Sequence, residues 1–170
     1  GDDPYNEYGD QPNIIIPQEV EYKGEKYTVT GIGATAFYTG KTFSINFESI
    51  DLPVTIKKFG GSAFANACFK KVYIHDLTSW CNIINDGGSS STCLYDSNNP
   101  DNVCVLYLNG KPITNLSSLD NRCTQISNYA FYGQRFLENA TLPDSVKVIG
   151  LYAFTNCKNL KKISIGNKVL

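Results

Sequence analysis

A lone histidine, a near balance of charge and the lack of any long apolar run set the first limits on this chain of 170 residues. His75 has no second histidine to share a zinc ion with, and the six cysteines lack the C-x-x-C spacing that could take its place. Fifteen Lys and Arg stand against sixteen Asp and Glu, a formal charge of −1, without the clustered cations that a nucleic-acid partner needs. No apolar run approaches the roughly 20 residues of a membrane-crossing helix, and Ile14-Ile15-Ile16 is strand-sized. No cleavable leader is recognisable, and Gly1 before Asp2-Asp3 reads as a cloning remnant.

Catalytic signatures are equally scarce. There is no G-x-S-x-G turn for a nucleophile. Gly60-Gly61 and Gly87-Gly88 lack the strand-to-helix setting and the lysine of a phosphate loop. Acidic residues such as Glu19, Glu21 and Asp51 are scattered, with no repeat-phased pair for glycoside hydrolysis or for calcium. His75 beside Asp76 is the one candidate base for a Ser or Cys nucleophile, and a surface place at a strand end is the plainer reading. No cofactor, metal or enzymatic activity is expected.

What the sequence does contain is repetition. Ala-Phe recurs at Ala36-Phe37, Ala63-Phe64, Ala130-Phe131 and Ala153-Phe154. Four residues before each Ala stands Ile32, Phe59, Ile126 or Ile149, followed by Gly33, Gly60, Ser127 or Gly150. Behind each pair comes an L-x-x-L-x-L triplet: Phe47/Ile50/Leu52, Phe69/Val72/Ile74, Leu137/Ala140/Leu142 and Leu160/Ile163/Ile165. That triplet joins a turn to a strand and sends all three side chains to one interior. A unit this small must stack on a neighbour to bury its apolar face. The four phenylalanines are therefore expected to form a buried column, with the small residue ahead of each pair allowing a tight bend.

These residues resemble a BspA-type leucine-rich repeat. Ile149-Gly150-Leu151-Tyr152-Ala153-Phe154-Thr155-Asn156-Cys157 through Leu160, Ile163 and Ile165 carry the likeness, as do Leu142-Pro143-Asp144-Ser145-Val146. The stretch from Tyr22-Lys23-Gly24 to Ile32-Gly33 is similar to the opening of many such proteins in gut and oral Bacteroidetes. The resemblance implies an α/β repeat fold: a right-handed solenoid with a parallel strand ladder, short helical turns on its other side and one irregular insertion. Residues 1–13 read as a flexible lead-in and 14–170 as one domain. Its units fall at about 29–53, 56–76, 119–143 and 146–170.

Successive Ala-Phe pairs lie 27, 67 and 23 residues apart, so the middle gap holds about 44 extra residues. The insertion, about 77–118, is expected to open with a short helix capped by Asp76 and carrying Leu77, Trp80 and Cys81. The Gly/Ser/Asn-rich stretch 85–102 is expected to be mobile. Asn109-Gly110 between apolar stretches predicts a β-hairpin, whose second strand is expected to continue the ladder. Cys93 and Cys104 flank the mobile loop and are the candidates for a disulfide, while Cys157 reads as a small apolar residue.

With the Phe column and Cys157 assigned to structure, function is left to the exposed strand face and the insertion. The resemblance implies a non-catalytic adhesion module, secreted or attached to the cell surface, that binds a host or cell-surface protein or a glycan. Ligand contacts are expected from Lys71, Tyr73, Glu138, Asn139, Thr141, Lys161, Lys162 and Ser164. A monomer is expected, held by a lipid anchor ahead of residue 1 if it is membrane-attached. Two other readings stay open. One is a repeat stalk displaying another domain, and the other is a hydrolase that uses His75 and the insertion.

Overall fold

A computed structural model describes residues 13–38, 45–86, 92–94 and 104–167. The fold is a stack of mostly parallel strand ladders. In the first ladder β1 (Asn13–Ile15), β5 (Ile45–Asp51), β7 (Ala67–Ile74) and β9 (Val105–Leu108) run parallel, and β10 (Lys111–Pro112) closes it antiparallel to β9. The register sets Phe47 on Phe69, and Ile14 on Ile50, Val72 and Leu106 in turn. Phe69, Val72, Ile74 and Leu106 are buried, as the L-x-x-L-x-L pattern requires. Further along, β12 (Asn139–Thr141) pairs in parallel with β14 (Lys162–Ser164), and Leu137, Ala140 and Leu142 are buried.

A second set of short strands runs ahead of the Ala-Phe turns. β4 (Gly31–Ile32), β6 (Lys58–Phe59) and β8 (Ile84–Asn85) form one parallel ladder, and β11 (Gln125–Ile126) and β13 (Val148–Ile149) form another. The turn that follows each repeats one backbone device. The residue before the motif alanine is left-handed in every unit: Thr35 (φ 55°), Ser62 (φ 54°), Tyr129 (φ 60°) and Tyr152 (φ 56°). Three residues after the alanine a second left-handed position follows at Asn66, Gly133 and Asn156, where Asn and Gly meet the least steric cost.

The conserved-looking small residue thus has a different task from the bend expected of it. Gly60 and Gly150 are absent from the left-handed positions. A Cβ on Gly60 would come within 2.5 Å of the Ala34 amide nitrogen, and one on Gly150 within 2.5 Å of the Asn128 nitrogen. These glycines let one rung lie directly on the backbone of the rung before it. Gly60 N–H then donates to Ile32 O at 2.9 Å and Gly150 N–H to Ile126 O at 2.7 Å. Ser127 is tolerated at the same phase because its neighbour differs: its N–H donates to Cys81 O at 3.0 Å, and its hydroxyl bonds the Cys81 and Ile83 carbonyls.

The phenylalanine column forms in two pairs. Phe37 stacks on Phe64 with centroids 5.3 Å apart, and Phe131 on Phe154 at 5.4 Å. Phe64 and Phe131 are fully buried, while Phe37 and Phe154 are partly buried against the same core. Between the pairs stands Trp80, its ring centroid 6.2 Å from that of Phe59. In regular rungs the alanine carbonyl accepts from the Phe N–H of the rung before, as in Phe37 to Ala63 (2.8 Å) and Phe131 to Ala153 (2.9 Å). Ala130 O instead accepts from the Trp80 indole at 2.9 Å. Buried Gln134 forms a comparable splice, accepting from Leu106 N–H at 2.8 Å and donating to Cys104 O at 3.0 Å.

Several expectations need correction or refinement. Asn13 belongs to β1 rather than to the lead-in, because its backbone is paired with Ser49. Helical turns do not line the repeats: α1 (Leu77–Cys81) is the α-helix among the described residues, and it lies inside the insertion. It is capped as expected, with Asp76 Oδ1 accepting from Ser79 N–H at 2.7 Å. Asn109 and Gly110 both take positive φ in the β9–β10 turn, as does Lys23-Gly24 between β2 (Glu19–Tyr22) and β3 (Glu25–Thr28). The first hairpin strand, β9, extends the ladder on β7; Pro112 in the second has no N–H to give. Asn115, past that strand, then bridges in parallel to Asn139. The insertion therefore contains rungs of its own, β8 on β6 and β9 on β7. Most of the stretch 85–102 expected to be mobile lies outside the described residues.

Adding a methyl group at Gly150 forces backbone apart, whereas Gly33 has nothing within 4 Å of a Cβ. We expect Gly150→Ala to cost about 1–3 kcal/mol in urea unfolding and Gly33→Ala to stay within about 0.5 kcal/mol of the parent. Equal effects would remove close rung approach as the reason for glycine.

Candidate functional site

Strand alternation turns the residues between the core positions outward, and the register lines them up across the first ladder. One row runs Ile15, Asp51, Tyr73 and Tyr107, with Pro112 beyond on β10. The row beside it runs Asn13, Ser49, Lys71 and Val105. Here Ser49 is buried and its hydroxyl donates to Asn13 Oδ1 at 2.6 Å. Tyr73 and Tyr107 meet ring to ring, centroids 5.1 Å apart and tilted by 45°.

Two charged pairs flank these rings. Glu48 accepts from Lys71 Nζ at 2.8 Å and from Lys70 Nζ at 2.9 Å. The hydrogen bond from Lys71, and next that from Lys70, hold the Glu48 carboxyl down at about 2, and the same bond raises Lys71 above its ordinary value. On the other flank, His75 Nε2 lies 2.7 Å from Asp51 Oδ1. The His75 side chain is 47 % exposed, so it stands at the surface. The groove beside it, lined by Leu52, Pro53, Ile74, Asp76 and Ser79 among others, has a cavity volume of about 10 Å³. That is room for about one water molecule, far below a substrate pocket.

The second half presents a separate, more polar face. Asn139 is paired with Lys162 and Thr141 with Ser164, while Lys161 Nζ reaches Glu138 at 3.2 Å. The eight residues expected to contact a ligand thus fall into two groups, Lys71 with Tyr73, and the other six on β12, β14 and the residues before them. Glu48, Asp51, His75 and Tyr107 join the first group although none was expected to contact a ligand, His75 having been considered only as a base. Asp51 was accessible from the L-x-x-L-x-L alternation alone. Tyr107 was not, because its place beside Tyr73 depends on a register that spans the insertion.

The expected bridge between Cys93 and Cys104 is not formed: both are free thiols. Burial pushes the Cys93 thiol up to about 12, and burial together with neighbouring Cys93 and Cys68 raises Cys104. Sealed in the core at 2 % and 1 % exposure, they pack as small hydrophobic groups in protonated form. Cys157 is half-buried and its thiol donates to Phe131 O at 3.0 Å. Among the described residues, no cluster of three or more His, Cys, Asp or Glu could hold a metal ion, and no helix is long and apolar enough to cross a membrane.

The repeat matches a family of known proteins. The family described as BspA type Leucine rich repeat region matches in six copies over residues 25–87 and 108–170. Six copies exceed the four counted from Ala-Phe pairs. The fold is similar to that of a leucine rich cell surface protein from Faecalibacterium prausnitzii, at 22 % identity over 91 % of this chain and 48 % of that one, with a TM-score of 0.38. It is also similar to a leucine-rich repeat protein from Bacteroides ovatus, at 21 % identity over 96 % and 48 % of the two chains, with a TM-score of 0.41. The pneumococcal vaccine antigen PcpA matches at 15 % identity over 94 % and 62 %, with a TM-score of 0.34. The chain spans roughly half the length of the first of these. No curated protein matches in sequence.

The Glu48 pair makes a signed prediction. Its carboxyl sits at about 2 in the fold against 4.5 ordinarily, so its contribution to stability is present above pH 4.5 and lost as pH falls toward 2. Carboxyl-carbon NMR should give a Glu48 midpoint near 2, rising toward the ordinary value in Lys71→Met. A midpoint unmoved by that substitution would contradict the pairing.

Proposed function

The chain belongs to the BspA-type leucine-rich repeat family, and we propose that it is a non-catalytic recognition module working at a cell surface. The rungs stack as a right-handed solenoid, and its outward strand face meets a protein or glycan on a host or another cell. One observation carries this reading: core positions use up the inward side chains, while register gathers Asp51, Tyr73 and Tyr107 into one row on paired strands. Side chains fixed on strands form a preorganised surface, whose binding is not taxed by loop ordering. The similarity to a protein described as a leucine rich cell surface protein supports the location. The exposed His75 and the shallow groove beside it favour binding over hydrolysis.

Adhesion to immobilised extracellular-matrix proteins and to a glycan array tests the proposal. Tyr73→Ala with Lys71→Ala should keep cooperative unfolding with a modest loss of midpoint, from the lost Glu48 pair and ring contact, and separately Asn139→Ala with Lys162→Ala should leave the midpoint nearly unchanged. At least one pair should weaken binding by about tenfold, the size expected when a central contact is truncated. Unchanged affinity in both double variants, or no binding by the parent, would sink the strand face as the recognition surface.

A further inference from the structure

We infer that the Tyr73–Tyr107 pair is the centre of a subsite for a neutral oligosaccharide, lying across the first ladder. This deepens the recognition reading above and rests on it.

A sugar ring has one apolar C–H face and a rim of hydroxyl groups. A site for it therefore needs a rigid aromatic surface, with hydrogen-bonding groups set around the edge. Tyr73 and Tyr107 supply the surface: they sit on paired strands in direct register, 5.1 Å between centroids, and tyrosine gives up little side-chain freedom on binding. Glu48 with Lys71 supplies one edge and Asp51 with His75 the other. Each carboxylate can accept about four hydrogen bonds. Glu48 uses two of these on lysines and Asp51 one on His75, which leaves acceptors for hydroxyl donors without breaking a pair.

Charge selects the class of sugar. Glu48 and Asp51 offset Lys70 and Lys71, so with His75 neutral the cluster carries no net charge and gives an acidic or phosphorylated ligand no advantage. A protein partner fits less well. Its interface needs about 800 Å² on each side with few charges in the centre. Here the apolar surface is two rings bounded by ion pairs. The row continues to Ile15, which is 74 % exposed, and to Pro112 on β10. At about 4.8 Å per strand it spans roughly 19 Å, the reach of several linked sugar rings rather than one.

The test titrates the ¹⁵N-labelled chain with cellohexaose, mannohexaose and N-acetylchitohexaose at millimolar concentration. At least one should shift the Tyr73 and Tyr107 amides saturably. Tyr107→Ala should weaken that binding about tenfold, and Asp51→Asn, a milder change if the alanine variant folds poorly, by several-fold. No shift with any of the three sugars, shifts confined to other residues, or parent affinity in both variants would overturn the subsite. If matrix-protein adhesion persists and responds to strand-face substitution while no sugar binds, the subsite fails and the recognition module stands. If neither binds, both fail.

Discussion

A rung of this fold is not a stable object by itself. Each one leaves backbone N–H and C=O groups unpaired and an apolar row uncovered until the next rung lies against it. Everything else in the structure follows from how closely that second rung can approach. Gly60 and Gly150 permit backbone contact where a methyl group would collide, and the left-handed residues Ser62, Tyr129 and Tyr152 send the chain into the turn that carries Phe to the core. The turn is costly for a β-carbon-bearing residue, and tyrosine bears that cost twice. In return Tyr129 and Tyr152 stack at 5.1 Å across the junction between the last two rungs, outside the Phe131–Phe154 pair within.

The same constraint explains the middle of the chain. An insertion that merely looped out would leave two half-stacks with exposed ends. Instead β8 and β9 take up rung positions, and side chains splice the joint where the backbone ladders part. Trp80 replaces a missing amide donor at Ala130, Ser127 bonds the carbonyls around Cys81, and Gln134 acts as a strand edge for Leu106. A buried amide or indole costs little when every polar atom is matched, and these splices are matched.

Much of this was legible in the sequence, for a physical reason: core positions repeat because every rung has the same space to fill. The Ala-Phe pairs, the triplets, the Asp76 cap and the Asn109-Gly110 turn are all local signals. The task of the glycines was misread, because tight bends and close approach favour the same residue and the sequence does not separate them. Long-range placement was hidden for a different reason. That Tyr107 lies beside Tyr73, or that Trp80 reaches Ala130, depends on register across the insertion, and no local pattern encodes it. The candidate site was read accordingly, with Lys71 and Tyr73 visible from alternation, His75 expected at the strand end, and the partners Glu48 and Tyr107 not visible. The bridge proposed for Cys93 and Cys104 failed because spacing along the chain says nothing about whether two thiols share a core as free groups.

The two halves share one core through the joint between them, and every rung beyond it depends on that splice. Native-state hydrogen exchange in Trp80→Phe combined with Gln134→Leu tests it most directly. In the parent chain, the amides of Val72 and Ala140 should exchange through one shared opening of equal free energy. In the variant they should separate, with Ala140 losing protection first and by a larger factor. Unequal free energies in the parent, or a variant in which the two still open together at the parent value, would contradict a joint made by these side chains.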